Sequence, residues 1–538
     1  MEKRLKLPAG IHTFEKLRED CIYVDKTKYL IDLIDNGSVY FLSRPRRFGK
    51  SLTVTTFDSL FSGKKELFKG LYAEEYLNRP EFKPSPVIRL DMSKINTEEG
   101  INQIKASIKH LTLRIAKNLE VNINKDLAYS DLFEELIVET ARKYSSKIVV
   151  LIDEYDNPFT DFIDDPKMAE KVRKVLRNYY KQIKANEEYI RFIFLTGISK
   201  FTKMGVFSTL NNIVDISYNP KYGEICGYTE AEIIKYFPEY LEETAKHFEI
   251  STEKLVERMR NYYNGFSFDI SGKNRLYNPF STLNFFIQQI FLNFWFESGS
   301  TSMISKYIKT QNLTVEQFRN LPVSNNDLKN SVEIEYAKPE NFLFQTGYLS
   351  LKKVGTNNLC LDYPNTEVLD SMSELVAQNI LMDNNDDFTY CRRDLLRGLS
   401  SSDYENIKSV FNRLLASIPY DDFSKAAKDS ISDNNYNFTV NEWHYRSMIL
   451  AFLRGSGVVV IAEMHTNLGR PDLVISHKGK TWIIELKVAY QGENPKKKLD
   501  EAMTQIKDKN YTKPFPEAIG IGMVIEDEKR QITEVMSN

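Results

Sequence analysis

With 538 residues, 72 Lys and Arg against 74 Asp and Glu, and a net charge of -2, the chain lacks the global basic field that coats nucleic acid, so any such contact must use a local patch. Its length exceeds what one hydrophobic core supports and implies roughly two to four domains; 42% hydrophobic and 27% charged residues exclude a disordered chain. Cys21, Cys226, Cys360 and Cys391 stand far apart without a C-x-x-C pair, which excludes a disulfide framework or a zinc site and reads as reduced thiols. The charged opening Met1 to Gly10 has no secretory apolar region, and no stretch reaches the roughly 18 apolar residues of a membrane helix. The cytoplasm is the expected compartment, with no membrane partner.

Apolar runs at Val39–Ser43, Val87–Asp91, Ile148–Asp153 and Phe192–Thr196 alternate with long helical patterns, which predicts crossover helices over a largely parallel sheet. The first run leads into Ser43-Arg-Pro-Arg-Arg-Phe-Gly-Lys-Ser-Leu52, read as a turn and then a helix starting at Lys50 or Ser51. A helix start after such a turn offers free N–H groups to phosphate, with Lys50 reaching the β and γ oxygens and Ser51 ligating magnesium. Arg44 stands where the G-x-x-x-x-G-K-[ST] pattern has its first glycine, yet Arg44, Arg46 and Arg47 together suit polyphosphate. The expected nucleotide contacts are Arg44, Arg46, Arg47, Phe48, Gly49, Lys50, Ser51 and Leu52. A solvated basic turn is the plainer alternative.

The run Ile148–Asp153, followed by Glu154, reads as a buried strand that delivers Asp153 to a magnesium shell and Glu154 to an attacking water; simple strand-end polarity is the alternative. Thr196 ends the next strand, where a residue sensing the γ-phosphate would sit. Arg173 and Arg177 share a helix face, which fits an ordinary surface better than an arginine finger. From about Tyr228 to Ser430, helices rich in Tyr, Phe, Asn and Lys are expected, with few strands.

After Asn434 the pattern predicts a helix from Val440 to Arg454, three strands, another helix and a last strand. Arg470 to Lys487 reads as two strands about a His477-Lys-Gly-Lys480 turn. A turn centred between Lys478 and Gly479 sets Asp472 opposite Glu485, their Cβ atoms about 5 Å apart, with Lys487 on the same face. Two such carboxylates repel unless a cation lies between them, and hard oxygen ligands select magnesium, or else manganese. That points to phosphodiester hydrolysis, with Lys487 orienting water or offsetting charge. A salt-bridged surface hairpin is the alternative.

Phe14-Glu-Lys-Leu-Arg-Glu, Tyr23-Val-Asp-Lys-Thr27, Ser43 to Leu52 and Asp153-Glu-Tyr-Asp156 together resemble an AAA-ATPase-like family of bacterial proteins that carry a C-terminal PD-(D/E)XK nuclease-superfamily domain. The resemblance spans nearly the whole chain, and the family's usual loop has the Arg-Pro-Arg-Arg-Phe-Gly-Lys-Ser form. Pro471-Asp472 and Glu485-Leu-Lys487 match the nuclease signature. Within that core Glu442 fits an additional metal ligand, Gln505 a contact to phosphate or water, and Glu463 a weaker candidate. Asn261 to Phe268 and Leu276 to Ser281 resemble motifs after the ATPase core and imply a helical lid or winged-helix-like piece; packed core aromatics explain them equally well.

The expected fold is α/β: an N-terminal P-loop parallel sheet with helices (1–225), a helical lid or connector (226–430) and a C-terminal restriction-endonuclease-like α/β domain (431–538). The resemblance implies an ATP-binding and hydrolysing unit coupled to a magnesium-dependent DNA nuclease in defence or mobile-element biology, and leaves room for a homo-oligomer. The alternative is a nucleotide-switched nucleic-acid-binding or signalling protein with an inactive nuclease fold.

Overall fold

The computed structural model describes residues 4–162, 165–198, 212–297, 304, 315–324, 338–354, 358–379, 385–416, 440–462, 469–515 and 517–538. Contacts divide the chain into two compact units. The first comprises Met1–Gly299 with Asn320–Val368, and the second Ser300–Arg319 with Leu369–Asn538. Among the described residues no helix is long and apolar enough to cross a membrane.

Unit one is built on β1 (Val39–Ser43), β2 (Val87–Asp91), β3 (Ile148–Asp153), β4 (Ile190–Gly197) and β5 (Val214–Asp215), in the order β2-β3-β4-β1-β5. Every pairing in this sheet is parallel. Parallel strands need covered faces, and β1 and β3 are accordingly buried along their whole length. The helices Ile101–Asn118, Tyr129–Tyr144 and Pro166–Ala185 bury their apolar stripes with these strands in one core, while Phe57 on the helix Lys50–Phe61 packs onto Phe192 and Phe194 of β4. The chain leaves β1 for the far edge and returns to its other side only at β5. The carboxyl ends of β1 and β4 therefore flank a switch in strand order, where open parallel sheets bind ligands.

The helices Glu230–Tyr236, Pro238–His247, Thr252–Tyr263 and Pro279–Gln288 form a second core in the same unit. The middle of the chain holds more strand than its composition predicts: β6 (Leu321–Val323), β7 (Ser350–Val354) and β8 (Asn358–Asp362) form an antiparallel sheet in the order β6-β8-β7. These strands are three to five residues long, too short for an alternating pattern to stand out from the surrounding aromatic helices.

Unit two carries the helices Asn385–Ser401, Tyr404–Ala416, Val440–Gly455 and Pro495–Asp508 and a sheet of β9 (Val459–Ala462), β10 (Leu473–His477), β11 (Lys480–Ala489), β12 (Ile519–Glu526) and β13 (Gln531–Ser537), in the order β13-β12-β11-β10-β9. Only β11 and β12 pair in parallel, as the intervening helix Pro495–Asp508 requires. The closing strand β13 goes beyond the single last strand expected from the sequence. Its backbone at Ile532 exchanges two hydrogen bonds with the Asn412 side chain, a tertiary support with no local sequence signal. Gly455 ends its helix where a Cβ would lie 2.7 Å from Glu374 Cα, so only glycine permits that approach.

Candidate functional sites

In unit one the turn after β1 leads into a helix that starts at Lys50, and Gly49 is its pivot. Gly49 caps the helix Lys50–Phe61 at φ 94°, and a Cβ placed on it would meet no atom of the described residues within 4 Å. Phe48 is buried in edge-to-face contact with Phe266 and Phe268, 4.8 and 5.1 Å away, so the motif after the ATPase core packs against the turn. A cavity of 690 Å³ opens at this turn; Arg46, Arg47, Lys50, Ser51, Asp153 and Glu154 are among its walls. Lys50 Nζ donates to the carbonyls of Arg44 and Pro45 at 3.0 and 2.9 Å. Burial pulls the Lys50 ammonium below its ordinary range, while Glu154 and Asp153 work against that shift. Burial likewise lifts the Glu154 carboxyl, with Lys50 opposing and Asp153 reinforcing.

Thr196 is fully buried and donates to Asp153 Oδ1 at 2.6 Å. It lies behind Asp153 and is not among the cavity's walls, so its hydroxyl orients the carboxylate. Arg44 is also absent from the walls. It is fully buried and donates to the carbonyls of Ser43, Ser217 and Tyr222 at 2.9, 2.6 and 3.0 Å, over the face of Phe268. Burial depresses its guanidinium to about 10. The residue in the first-glycine position thus ties β1 to the segment after β5. Arg173 is buried against Glu170 at 2.8 Å, not on an open surface.

Sequence reasoning missed Asp91 and Phe280. Asp91 ends β2 in register with Asp153 and lines the cavity; an acid closing an apolar strand was its only signal. Phe280 lines the cavity under the Arg47 guanidinium, 4.0 Å from its ring centre, a pairing that no local pattern announces.

In unit two the hairpin has the expected register: Leu473 pairs with Ile484 and His477 with Lys480. Lys478 and Gly479 have φ of 48° and 80°, as a two-residue type I′ turn demands. Asp472 and Glu485 are therefore opposed and buried, 7% and 2% exposed. Asp472 Oδ1 accepts from Arg446 at 3.0 Å and Oδ2 from the Leu486 N–H at 2.8 Å. Lys487 Nζ donates to Glu485 Oε1 at 2.9 Å, while Glu485 Oε2 is buried with no hydrogen-bond donor among the described residues. Burial, with Asp472 next, pushes the Glu485 carboxyl up to about 7. Burial acts to lower the Lys487 ammonium, but Glu485, Glu442 and Asp472 raise it overall. The Glu442 carboxyl is raised by burial, with Lys487 opposing and Asp472 adding, so this helix residue faces the same cluster.

Gln505 donates to Tyr511 Oη at 3.3 Å and is held on the helix Pro495–Asp508 by that bond. Glu463 lies outside the described residues. Among the described residues no three His, Cys, Asp or Glu side chains already stand as a metal centre. Arg446, which the sequence reading overlooked, supplies the positive charge beside Asp472. The donor set still fits a hard cation: Glu485 Oε2 is an orphaned buried acceptor, and each carboxylate oxygen has a second lone pair.

A P-loop-type parallel sheet in one unit and an acid-and-lysine hairpin on a mixed sheet in the other define an ATPase-like protein with a nuclease-fold domain. The family model described as predicted AAA-ATPase matches residues 8–207, and that of the PD-(D/E)XK nuclease superfamily matches residues 440–535. An uncharacterized protein in the vnfD 5′ region of Azotobacter chroococcum mcd 1 is 31% identical over 525 residues, covering 95% of this chain and 94% of that one. The chain belongs to the AAA-ATPase-like family with a C-terminal PD-(D/E)XK nuclease-superfamily domain. The Aeropyrum pernix ORC2 protein, solved in ADPNP–ADP complexes, aligns over 70% of this chain and 96% of its own at 11% identity and a TM-score of 0.27, a likeness too slight to build on.

Proposed function

We propose that the protein binds and hydrolyses ATP in unit one and, under control of that nucleotide, cleaves phosphodiester bonds of DNA in unit two. The observation that carries the nuclease half is Glu485 Oε2, a buried carboxylate oxygen without a donor among the described residues, on the hairpin of Asp472 and Lys487 that Glu442 faces from its helix. Such an orphan costs about 1–3 kcal/mol, and a structure retains it where a ligand completes the site.

Asp472 and Glu485, with Glu442 as a further ligand, are the residues that would hold magnesium or manganese. The bound ion would polarise the phosphodiester and lower the pKa of a water. Lys487 keeps its proton through its three carboxylate neighbours, so it donates to the attacking water or to the charge developing on phosphate. Gln505 orients that water or the phosphate. In unit one Arg46, Arg47 and Lys50 bind the phosphates. To reach them, Lys50 gives up the carbonyls of Arg44 and Pro45, and the N–H groups after Gly49 complete the cradle. Ser51 and Asp153 would hold the nucleotide's magnesium, which would offset phosphate charge. Glu154, its carboxyl lifted by burial, accepts a proton from the attacking water.

A second reading, a nucleotide-switched nucleic-acid grip without cleavage, draws on the Arg446–Asp472 pair, which already neutralises one carboxylate. Magnesium-dependent cleavage of linear and circular DNA, measured with and without ATP and against Asp472→Ala, separates the two. Cleavage that needs Asp472 and responds to ATP supports the nuclease; nucleotide binding with no cleavage under magnesium or manganese leaves the grip.

A further inference from the structure

A second set of cations gathers in unit two, away from Asp472 and Glu485. On the helix Asn385–Ser401, Tyr390, Arg393, Arg397 and Ser400 follow spacings of three and four, which set them on one face. The Arg393 and Arg397 side chains are 69% and 70% exposed. Tyr390 is 52% exposed, with the Arg393 guanidinium 5.1 Å from its ring centre. Ser400, at the end of this stripe, meets the β10–β11 turn. Its Oγ is 3.3 Å from His477 Nε2, and Lys480 Nζ donates to the Ser400 carbonyl and the Ser402 hydroxyl at 3.3 and 3.2 Å. Lys478 and Lys480 are both exposed residues of this turn.

Asp394 accepts from Arg413 at 2.9 Å and lies 3.3 Å from Arg397 and 4.0 Å from Arg393, so three guanidinium groups share its single negative charge. Asp403 is committed to capping the next helix, where it accepts from the Asn406 N–H. A chain whose total charge is -2 thus concentrates Arg393, Arg397, Arg413, Lys478 and Lys480 on one strip that also exposes an aromatic ring.

The geometry points to this strip as a second contact surface for the sugar-phosphate backbone of a nucleic acid. It rests on the nuclease reading above. Along β11 the turn lies about 17 Å from Glu485, and the helical stripe that meets it there is about 15 Å long. A duplex advances about 3.4 Å per base pair, so the strip meets phosphates roughly five or more steps from the cleavage point. Arginine forks suit phosphate oxygens, and Tyr390 offers a face for a base or sugar. The strip fixes register and strand direction, and cleavage remains with the buried acids.

The test is fluorescence anisotropy of labelled duplex and single-stranded DNA with the full chain in EDTA, as a function of salt. Arg393→Glu/Arg397→Glu/Lys478→Glu should weaken binding at least about tenfold near 150 mM salt and flatten the log–log salt slope by about 2–3. Arg393→Lys/Arg397→Lys should keep the slope, and ATP turnover in unit one should be untouched. If the charge reversal lowers the melting temperature, Arg397→Gln/Lys478→Gln is measured instead and should flatten the slope by about 2. A wild-type chain that binds and cleaves DNA, with variants of unchanged affinity and slope, overturns the surface alone. A wild-type chain that neither binds nor cleaves any nucleic acid overturns the nuclease reading and the surface with it. Polyglutamate or anionic vesicles held as tightly as DNA, with the same dependence on the three residues, overturn the nucleic-acid assignment in favour of an acidic protein or a membrane.

Discussion

Removing Arg446 tests the hairpin cluster most directly. Arg446 and Asp472 are 3.0 Å apart with side chains only 11% and 9% exposed, so Arg446→Ala leaves a largely buried carboxylate without its cation. Breaking a buried pair in this way costs about 3–5 kcal/mol. The Leu486 N–H and the nearby Lys487 still face Asp472, which places the loss toward about 3 kcal/mol. A domain of this size shifts by about 2–4 °C per kcal/mol, so the melting temperature of unit two should fall by roughly 6–12 °C. Magnesium should restore much of that loss in the variant and stabilise the wild-type protein less, because there the guanidinium already occupies the anionic side. Differential scanning calorimetry with and without magnesium measures both shifts. A variant that melts within about 1 °C of wild type, or that falls as expected but gains nothing from magnesium or manganese, would refute the reasoning.

Three further predictions follow from single contacts. Thr196→Val removes the 2.6 Å bond to Asp153; it should cost about 1–3 kcal/mol and lower ATP turnover by about tenfold, read from melting curves and phosphate release. Asp370 is lifted to about 6 by burial, with Arg454 opposing and Glu374 adding. Its folded pKa thus exceeds the unfolded one, and its favourable contribution is complete below about pH 4 and lost as pH rises through about 6. Asp370→Asn should therefore stabilise unit two by about 2 kcal/mol at pH 7 and by nothing near pH 4 in urea titrations. Gly455→Ala drives a Cβ to within 2.7 Å of Glu374 Cα and should destabilise by about 1–3 kcal/mol; equal urea midpoints for variant and wild type would show that the two helices separate freely.

Much of this architecture was legible in the chain itself. The strands β1, β2, β3 and β4 are short apolar runs whose ends carry the acids and the Gly-Lys-Ser turn. Local pattern also set the β10–β11 register, because a Lys-Gly pair forces a two-residue turn and the period of two then opposes Asp472 to Glu485. What a side chain faces at long range is another matter. Arg44 lies in a loop rich in basic residues, yet the carbonyls of sequence-distant Ser217 and Tyr222 claim it; Arg446 looked like one more helical arginine until folding set it against Asp472. Phe280 and Asp91 reach the cavity beside the Gly-Lys-Ser turn from segments with no motif of their own. Periodicity and turn chemistry are properties of neighbours along the chain and can be read there, whereas the partner of a buried charge is chosen by desolvation, which exists only once the chain has closed around it.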